Sequence, residues 1–117
     1  MTQPISGKIT IAPQVLTTIV EQTTLDTKGV QALGARPPHI RDTEGRRAVG
    51  SGVEAIVSDN TVFVALSVKA APDINILTLA ETLQHDIARN VEHILGMKVA
   101  RVDVYIGDVT FSETAQD

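Results

Sequence analysis

Two apolar segments in the middle of the chain alternate at period two and are separated by only two residues. Such alternation places the apolar residues of each segment on one face of a strand; they are Val53, Ala55 and Val57 in the first segment and Val62, Val64, Leu66, Val68 and Ala70 in the second. The residues between them, Asp59 and Asn60, tolerate a positive φ. The pattern therefore predicts a tight antiparallel hairpin over residues 52–70.

The segment after this hairpin has the period of an amphipathic helix. Asn75 can cap its start and Gly96 is expected to end it. Its apolar stripe consists of Ile76, Leu79, Ala80, Leu83, Ile87, Val91 and Ile94. A second helix is predicted over residues 13–27, because Pro13 suits a first helical position and apolar residues follow it at helical spacing.

Three other segments predict strands, at residues 9–11, 29–34 and 98–106. In the last of these, one face is predicted to be buried and the other largely wet; the buried residues are Ala100, Val102, Val104 and Ile106. The approximate order is β-α-β-β-β-α-β. We therefore expect an α/β (α+β) two-layer sandwich, in which a small mixed sheet carries two helices on one face.

Composition bounds the class of protein. The 117 residues suit a single domain over residues 1–117, with its core at about 7–111. No cysteine is present, which excludes disulfides and thiolate metal sites and favours an intracellular protein. The formal net charge of −4 disfavours nucleic acid as a partner. No secretion signal and no long apolar run occur, so we expect a cytoplasmic protein with no membrane span.

A dense positive patch interrupts this acidic chain. Residues 35–50 predict a mobile loop that carries Arg36, Arg41, Arg46 and Arg47. Guanidinium groups bind phosphates and carboxylates through paired hydrogen bonds, so the loop is a candidate interaction site. The competing interpretation is a solvated loop, because Asp42 and Glu44 lower its charge.

The long helix also has a polar face. Glu81, His85 and Arg89 follow one another at four-residue steps, a spacing that permits contact. Glu81 and His85 could hold a metal ion or act as a general base and its orienting group, but two ligands do not close a tetrahedral site. A solvated face is the preferred interpretation. No phosphate-binding glycine motif and no nucleophile elbow are present, so we predict no cofactor, no metal and no catalytic residue.

Two stretches of the chain match a known pattern. Residues 7–16 read Gly-Lys-Ile-Thr-Ile-Ala-Pro-Gln-Val-Leu and lead to Lys28-Gly29-Val30; Leu83-Gln84 lead to Gly-Met-Lys-Val at 96–99 and Val-Asp-Val-Tyr-Ile-Gly-Asp-Val at 102–109. They resemble the alkaline shock protein family, a general stress and envelope stress response family of bacteria. The resemblance implies a small cytoplasmic, non-enzymatic protein that self-associates and is recruited to the membrane by a partner anchor.

The leading functional hypothesis is therefore a self-associating scaffold or adaptor in envelope homeostasis, with protein partners. Two alternatives stay open. One is a small nucleic-acid-binding module, which the scarcity of aromatic residues and the acidic charge disfavour. The other is a ferredoxin-like small-molecule sensor that binds its ligand at a subunit interface near Gly50-Ser51-Gly52.

Overall fold

The computed structural model describes residues 5–109 of the chain. It contains two helices and five strands in the order α1 (Pro13–Asp26), β1 (Val30–Leu33), β2 (Arg46–Gly50), β3 (Val53–Ser58), β4 (Thr61–Ala70), α2 (Ile76–Leu95) and β5 (Lys98–Val109). The predicted end of the core near residue 111 lies outside the described residues.

Strand β4 is the centre of a mixed sheet. Strand β5 runs parallel to it along the whole of Thr61–Ala70 and so occupies one edge. Strands β3 and β1 are both antiparallel to β4 and share the other edge, end to end. They meet at Ser67, which donates its N–H to Gly52 and accepts from the N–H of Gly34. Strand β2 pairs with β3, whereas β1 and β5 pair only with β4, so β1, β2 and β5 each have an edge without a described partner strand.

Both helices lie on one face of this sheet. Leu16 and Val20 of α1 and four residues of α2 are buried against the sheet residues of that face; the α2 residues are Leu79, Leu83, Ile87 and Val91. Nonpolar burial of this kind is the main stabilising term in a small domain. The predicted two-layer α+β sandwich with both helices on one face is confirmed. No helix among residues 5–109 is long and apolar enough to cross a membrane.

The local signals for the hairpin and for α2 are confirmed. Asp59 adopts a positive φ of 56° in the two-residue connection between β3 and β4. The Asn75 side chain accepts a hydrogen bond of 2.9 Å from the N–H of Thr78 at the start of α2. Gly96 ends that helix in the left-handed conformation, at a φ of 68°.

The predicted element order is wrong in two places. Residues 9–11 form no strand, because no described strand lies beside them, and Ile9 is 91% exposed. Conversely, residues 46–50 were predicted as part of the loop but form β2. Strand β2 pairs with β3 from Arg46, which lies opposite Val57, to Gly50, which lies opposite Val53. This pairing supplies the hydrogen bonds of a strand that the polar sequence of the segment does not predict.

Strand β5 also contains an irregularity that the alternation hides. Val99 lies opposite Val62, but Arg101 lies opposite Phe63, so Ala100 is the extra residue of a β-bulge. As a result Val99 packs against the core and Ala100 is exposed. The prediction that Ala100 belongs to the buried face is therefore wrong, whereas Val102, Val104 and Ile106 do face the core.

Candidate functional site

The face of the sheet opposite the helices, here called the outer face, is partly covered. The loop between β1 and β2 packs over it and buries Ile40 against Ile56 and Ala65, with Phe63 at the border of this small second core. Ile56 lies on the same face of β3 as Glu54, because alternate residues of a strand share a face, and Ala65 lies opposite Glu54 in β4. The outer face is therefore not uniformly wet.

Glu54 connects this loop to the sheet. Its side chain is 1% exposed and has three partners. The N–H of Ile40 donates to Oε1 at 2.7 Å, Nδ1 of His39 lies 2.7 Å from Oε2, and Nη1 of Arg47 lies 2.8 Å from the same oxygen. One carboxylate therefore joins β3, β2 and the loop.

These partners decide the charge of Glu54. Burial alone raises the pKa of the carboxyl group, but the N–H of Ile40 and the side chains of His39 and Arg47 stabilise the carboxylate more strongly. The pKa of Glu54 therefore lies below its ordinary value of 4.5. No buried side-chain polar atom among the described residues lacks a partner. The cluster thus acts as a structural tie, and its groups are already engaged with one another.

The four arginines of the predicted interaction loop do not converge. Arg47 binds Glu54, and its other terminal nitrogen donates to the carbonyl of Ile40 at 3.3 Å. Arg46 is the preceding residue of β2 and therefore points to the other face, where it donates to the carbonyl of Ile11 at 2.7 Å. Arg36 and Arg41 are exposed in the loop. A partner-binding role for these arginines stays a prediction.

The predicted polar face of α2 forms no joint site in the described structure. Glu81 and His85 are exposed, and Arg89 pairs with Asp86 at 3.2 Å. Among residues 5–109, no three His, Cys, Asp or Glu side chains are grouped so that they could hold a metal ion. A role for the polar face also stays a prediction.

The free edge of β5 is a feature that the sequence analysis missed. No described strand pairs with this edge. Two side chains of α2 reach it instead. Gln84 donates its Nε2 to the carbonyl of Val102 at 3.0 Å, and Glu92 accepts at 3.2 Å from the N–H of Val99. The spacing of Gln84 and Glu92, eight residues apart and thus on one side of the helix, was the available signal.

The outer face of β5 carries a charge pair beside this edge. Arg101 and Asp103 are two residues apart and form contacts of 3.0 Å from Nε and 2.9 Å from Nη2. The hydrogen bond and the charge of Asp103 raise the pKa of Arg101. Tyr105 follows on the same face and is 38% exposed. The edge therefore combines free backbone groups with charges of both signs.

A substitution at Glu54 tests the structural tie. Glu54→Gln keeps the size of the side chain but leaves Arg47 without its buried counter-charge. We expect the free energy of unfolding at pH 7 to fall by about 3 kcal/mol. This value is the lower end of the range for breaking a buried ion pair, and we choose it because Arg47 is partly exposed. Urea unfolding measures the change.

The exposed pair on α2 provides the matched control for this substitution. Asp86→Asn removes a carboxylate that pairs with Arg89 at the surface. Such surface pairs contribute little, so the change should stay within about 0.5 kcal/mol. Equal effects of the two substitutions would contradict the assignment of Glu54 as a structural tie.

The lowered pKa of Glu54 predicts a specific sensitivity to acid. Because the pKa is lower in the folded than in the unfolded chain, the carboxylate contributes stability above about pH 4.5, and this contribution is lost as the pH falls from there through the folded pKa. The difference in unfolding free energy between the wild-type protein and Glu54→Gln should therefore shrink between pH 7 and pH 3. A difference that stays constant over this range would show that ionised Glu54 does not hold the loop.

Comparison with solved structures identifies the same fold elsewhere. A doubly substituted variant of the MamM CTD superposes with a TM-score of 0.57 at 9% sequence identity, covering 84% of this chain and 95% of that chain. A variant of the MamM CTD in a nickel form gives a TM-score of 0.55 at 8% identity, with 84% and 99% covered. At such low identity the likeness shows the fold alone.

Comparison by sequence gives the family. No curated protein matches the chain. The profile of the alkaline shock protein 23 family matches residues 1–111, which include both helices and all five strands. This match confirms the family that residues 7–16 and 96–109 resemble. The chain therefore belongs to the alkaline shock protein 23 family, which has a cell envelope-related function.

Proposed function

We propose that this chain is a cytoplasmic scaffold or adaptor of the cell envelope that acts as a single domain, through self-association and protein partners, and catalyses no reaction. Membership of an envelope-related family supports the envelope link. The free edge of β5 is the observation that carries the self-association. Recruitment to the membrane by an anchored protein partner completes the proposal.

Strand β5 suits strand addition. It spans twelve residues and is the longest strand among the described residues. An unpaired edge presents alternating N–H and C=O groups, with which a strand of another chain can pair. The core-facing residues of β5 are only half-buried, namely Val102, Val104 and Ile106. A neighbouring strand would cover them further, which favours association through the hydrophobic effect.

The other candidate surfaces are less favourable for a ligand. The Glu54 cluster satisfies its own hydrogen bonds. In the turn proposed for a sensor ligand, the N–H of Ser51 already donates to Glu21 at 2.8 Å. Arg46 and Arg47, which would carry nucleic-acid binding, lie on opposite faces of β2 and are engaged with other groups. These observations favour the scaffold over both alternatives.

Self-association at this edge can be tested by light scattering over a range of protein concentrations. Val104 is two residues beyond Val102, whose carbonyl points to the free edge, so its N–H points there too. Val104→Pro removes that N–H without removing a hydrogen bond to β4. We expect a concentration-dependent oligomer for the wild-type protein and at least about tenfold weaker association for this variant, the loss expected when a buried hydrogen bond cannot form.

Val104→Ile is the matched control for this experiment, because it keeps the N–H and an apolar, β-branched side chain. It should associate like the wild-type protein. Thermal unfolding of all three proteins checks that the fold is kept. A wild-type protein that remains monomeric at every concentration would contradict self-association.

Recruitment by a membrane partner predicts a dependence on membrane protein. The purified chain should co-sediment with membranes from its native cells, and brief protease treatment of those membranes should abolish the binding. Protein-free vesicles with anionic lipids should bind little, because the chain carries a net charge of −4. Equal binding to native membranes and to protein-free vesicles would contradict a protein anchor.

A further inference from the structure

We propose that the partner of the β5 edge is the β5 edge of a second copy of this chain. The two strands pair antiparallel about a two-fold axis at Val102, and Arg101 of each copy forms an ion pair with Asp103 of the other. This inference rests on the proposed self-association and adds the occupant of the edge and the register of the pairing.

The charge pattern of β5 is complementary to itself under this symmetry. Arg101 and Asp103 flank Val102 and share the outer face. In an antiparallel pair centred on Val102, the residue before the centre lies opposite the residue after it. Each arginine therefore faces an aspartate of the other copy, so the dimer contains two such pairs. Opposite charges directly across a strand pair stabilise it, and a two-fold dimer is the commonest symmetric assembly.

The neighbouring registers lack this match. Centring the axis on Asp103 places two aspartates opposite each other, and like charges in that position are destabilising. Centring it on Val104 places Asp103 opposite Tyr105 and leaves Arg101 opposite Gly107. An axis placed between two consecutive residues would put the core-facing residues of one copy opposite the outer-face residues of the other copy. The charges therefore favour the axis at Val102.

The backbone geometry is compatible with this axis. Lys98 donates its N–H to Asn60 on the β4 side, whereas the N–H of Val99 and the carbonyl of Val102 are reached by α2 side chains. The N–H and C=O of one strand residue point to the same side, so both groups of Val102 face the free edge. Two Val102 residues can then exchange both hydrogen bonds. The bulge at Ala100 ends the regular pairing nearby, which predicts a weak, reversible dimer.

Gln84 competes with this pairing. Its side chain occupies the carbonyl of Val102 in the described structure. Dimer formation requires Gln84 to release that carbonyl to the N–H of the other copy. Because both copies carry Gln84 and a net hydrogen bond is worth about 1 kcal/mol, Gln84→Ala should strengthen the dimer by up to about thirtyfold. Gln22→Ala is the matched control, because Gln22 is an exposed helical glutamine of α1 that bonds Asp26. It should leave the dimer unchanged.

Charge reversal tests the register. Arg101→Glu places like charges across the pairing, and so does Asp103→Lys. We expect each variant alone to dimerise at least about tenfold more weakly than the wild-type protein in sedimentation experiments. An equimolar mixture of the two variants forms a heterodimer in which both cross-strand pairs are again of opposite charge. The mixture should recover association to within about threefold of the wild-type dissociation constant.

The outcomes separate the register from the proposed function. If the wild-type protein associates but the reversed variants associate equally well, or if their mixture is no stronger than either alone, the Val102 register is overturned while self-association stands. A monomeric wild-type protein overturns both. Thermal unfolding of each variant monitors the fold, and the gain expected for Gln84→Ala gives a readout that a merely destabilised protein would not produce.

Discussion

Strand β4 has partners along both of its edges, and this constraint arranges the rest of the molecule. Strand β5 takes one edge over its full length, and β3 and β1 divide the other. A central strand that is hydrogen-bonded on both sides leaves the unpaired edges to its neighbours. Among the described residues, the edges without a partner strand therefore belong to β1, β2 and β5, and β2 and β5 differ in the side-chain contacts that they make.

Strand β2 is held in place by the buried carboxylate of Glu54. Arg47 is held by Glu54, which also holds the loop through Ile40 and His39. Removing one member of such a cluster leaves an uncompensated charge, so the three elements are coupled. Strand β5 has no comparable tie. Within the described part of the chain, the side chains that hydrogen-bond its edge are those of Gln84 and Glu92, exposed residues that can exchange one partner for another at little cost.

Much of the fold could be predicted from the sequence, because local and long-range preferences agree there. The hairpin of β3 and β4 combines strict alternation with Asp59, and α2 combines an apolar stripe with Asn75 and Gly96. The predictions for β2 and for residues 9–11 were wrong because strand formation in both segments depends on a partner strand. Residues 46–50 form a strand because they pair with β3, whereas no described strand lies beside residues 9–11. The Glu54 cluster was harder to predict from the sequence. Glu54 lies in an apolar strand opposite Ala65, and this buried outer-face position becomes apparent only when the loop is seen to cover it.

Helix α2 connects the core to the proposed interface. Its apolar stripe covers the sheet, and the row of Gln84 and Glu92 reaches the edge of β5. Glu92 follows His85 by seven residues and Arg89 by three, so it lies on the predicted polar face with Glu81, whereas Gln84 lies outside that face. The polar pattern of α2 therefore could not indicate that these two residues reach the same strand edge. When a second copy replaces Gln84 at Val102, one hydrogen bond is exchanged for another, so the number of hydrogen bonds hardly changes. The net driving force must then come mainly from covering the half-buried row of Val102, Val104 and Ile106. The cross-strand charge pairs add less, because Arg101 and Asp103 are already paired within each copy. Both contributions are modest, and the charge term weakens with salt, so association through this edge is expected to be reversible and to respond to ionic strength.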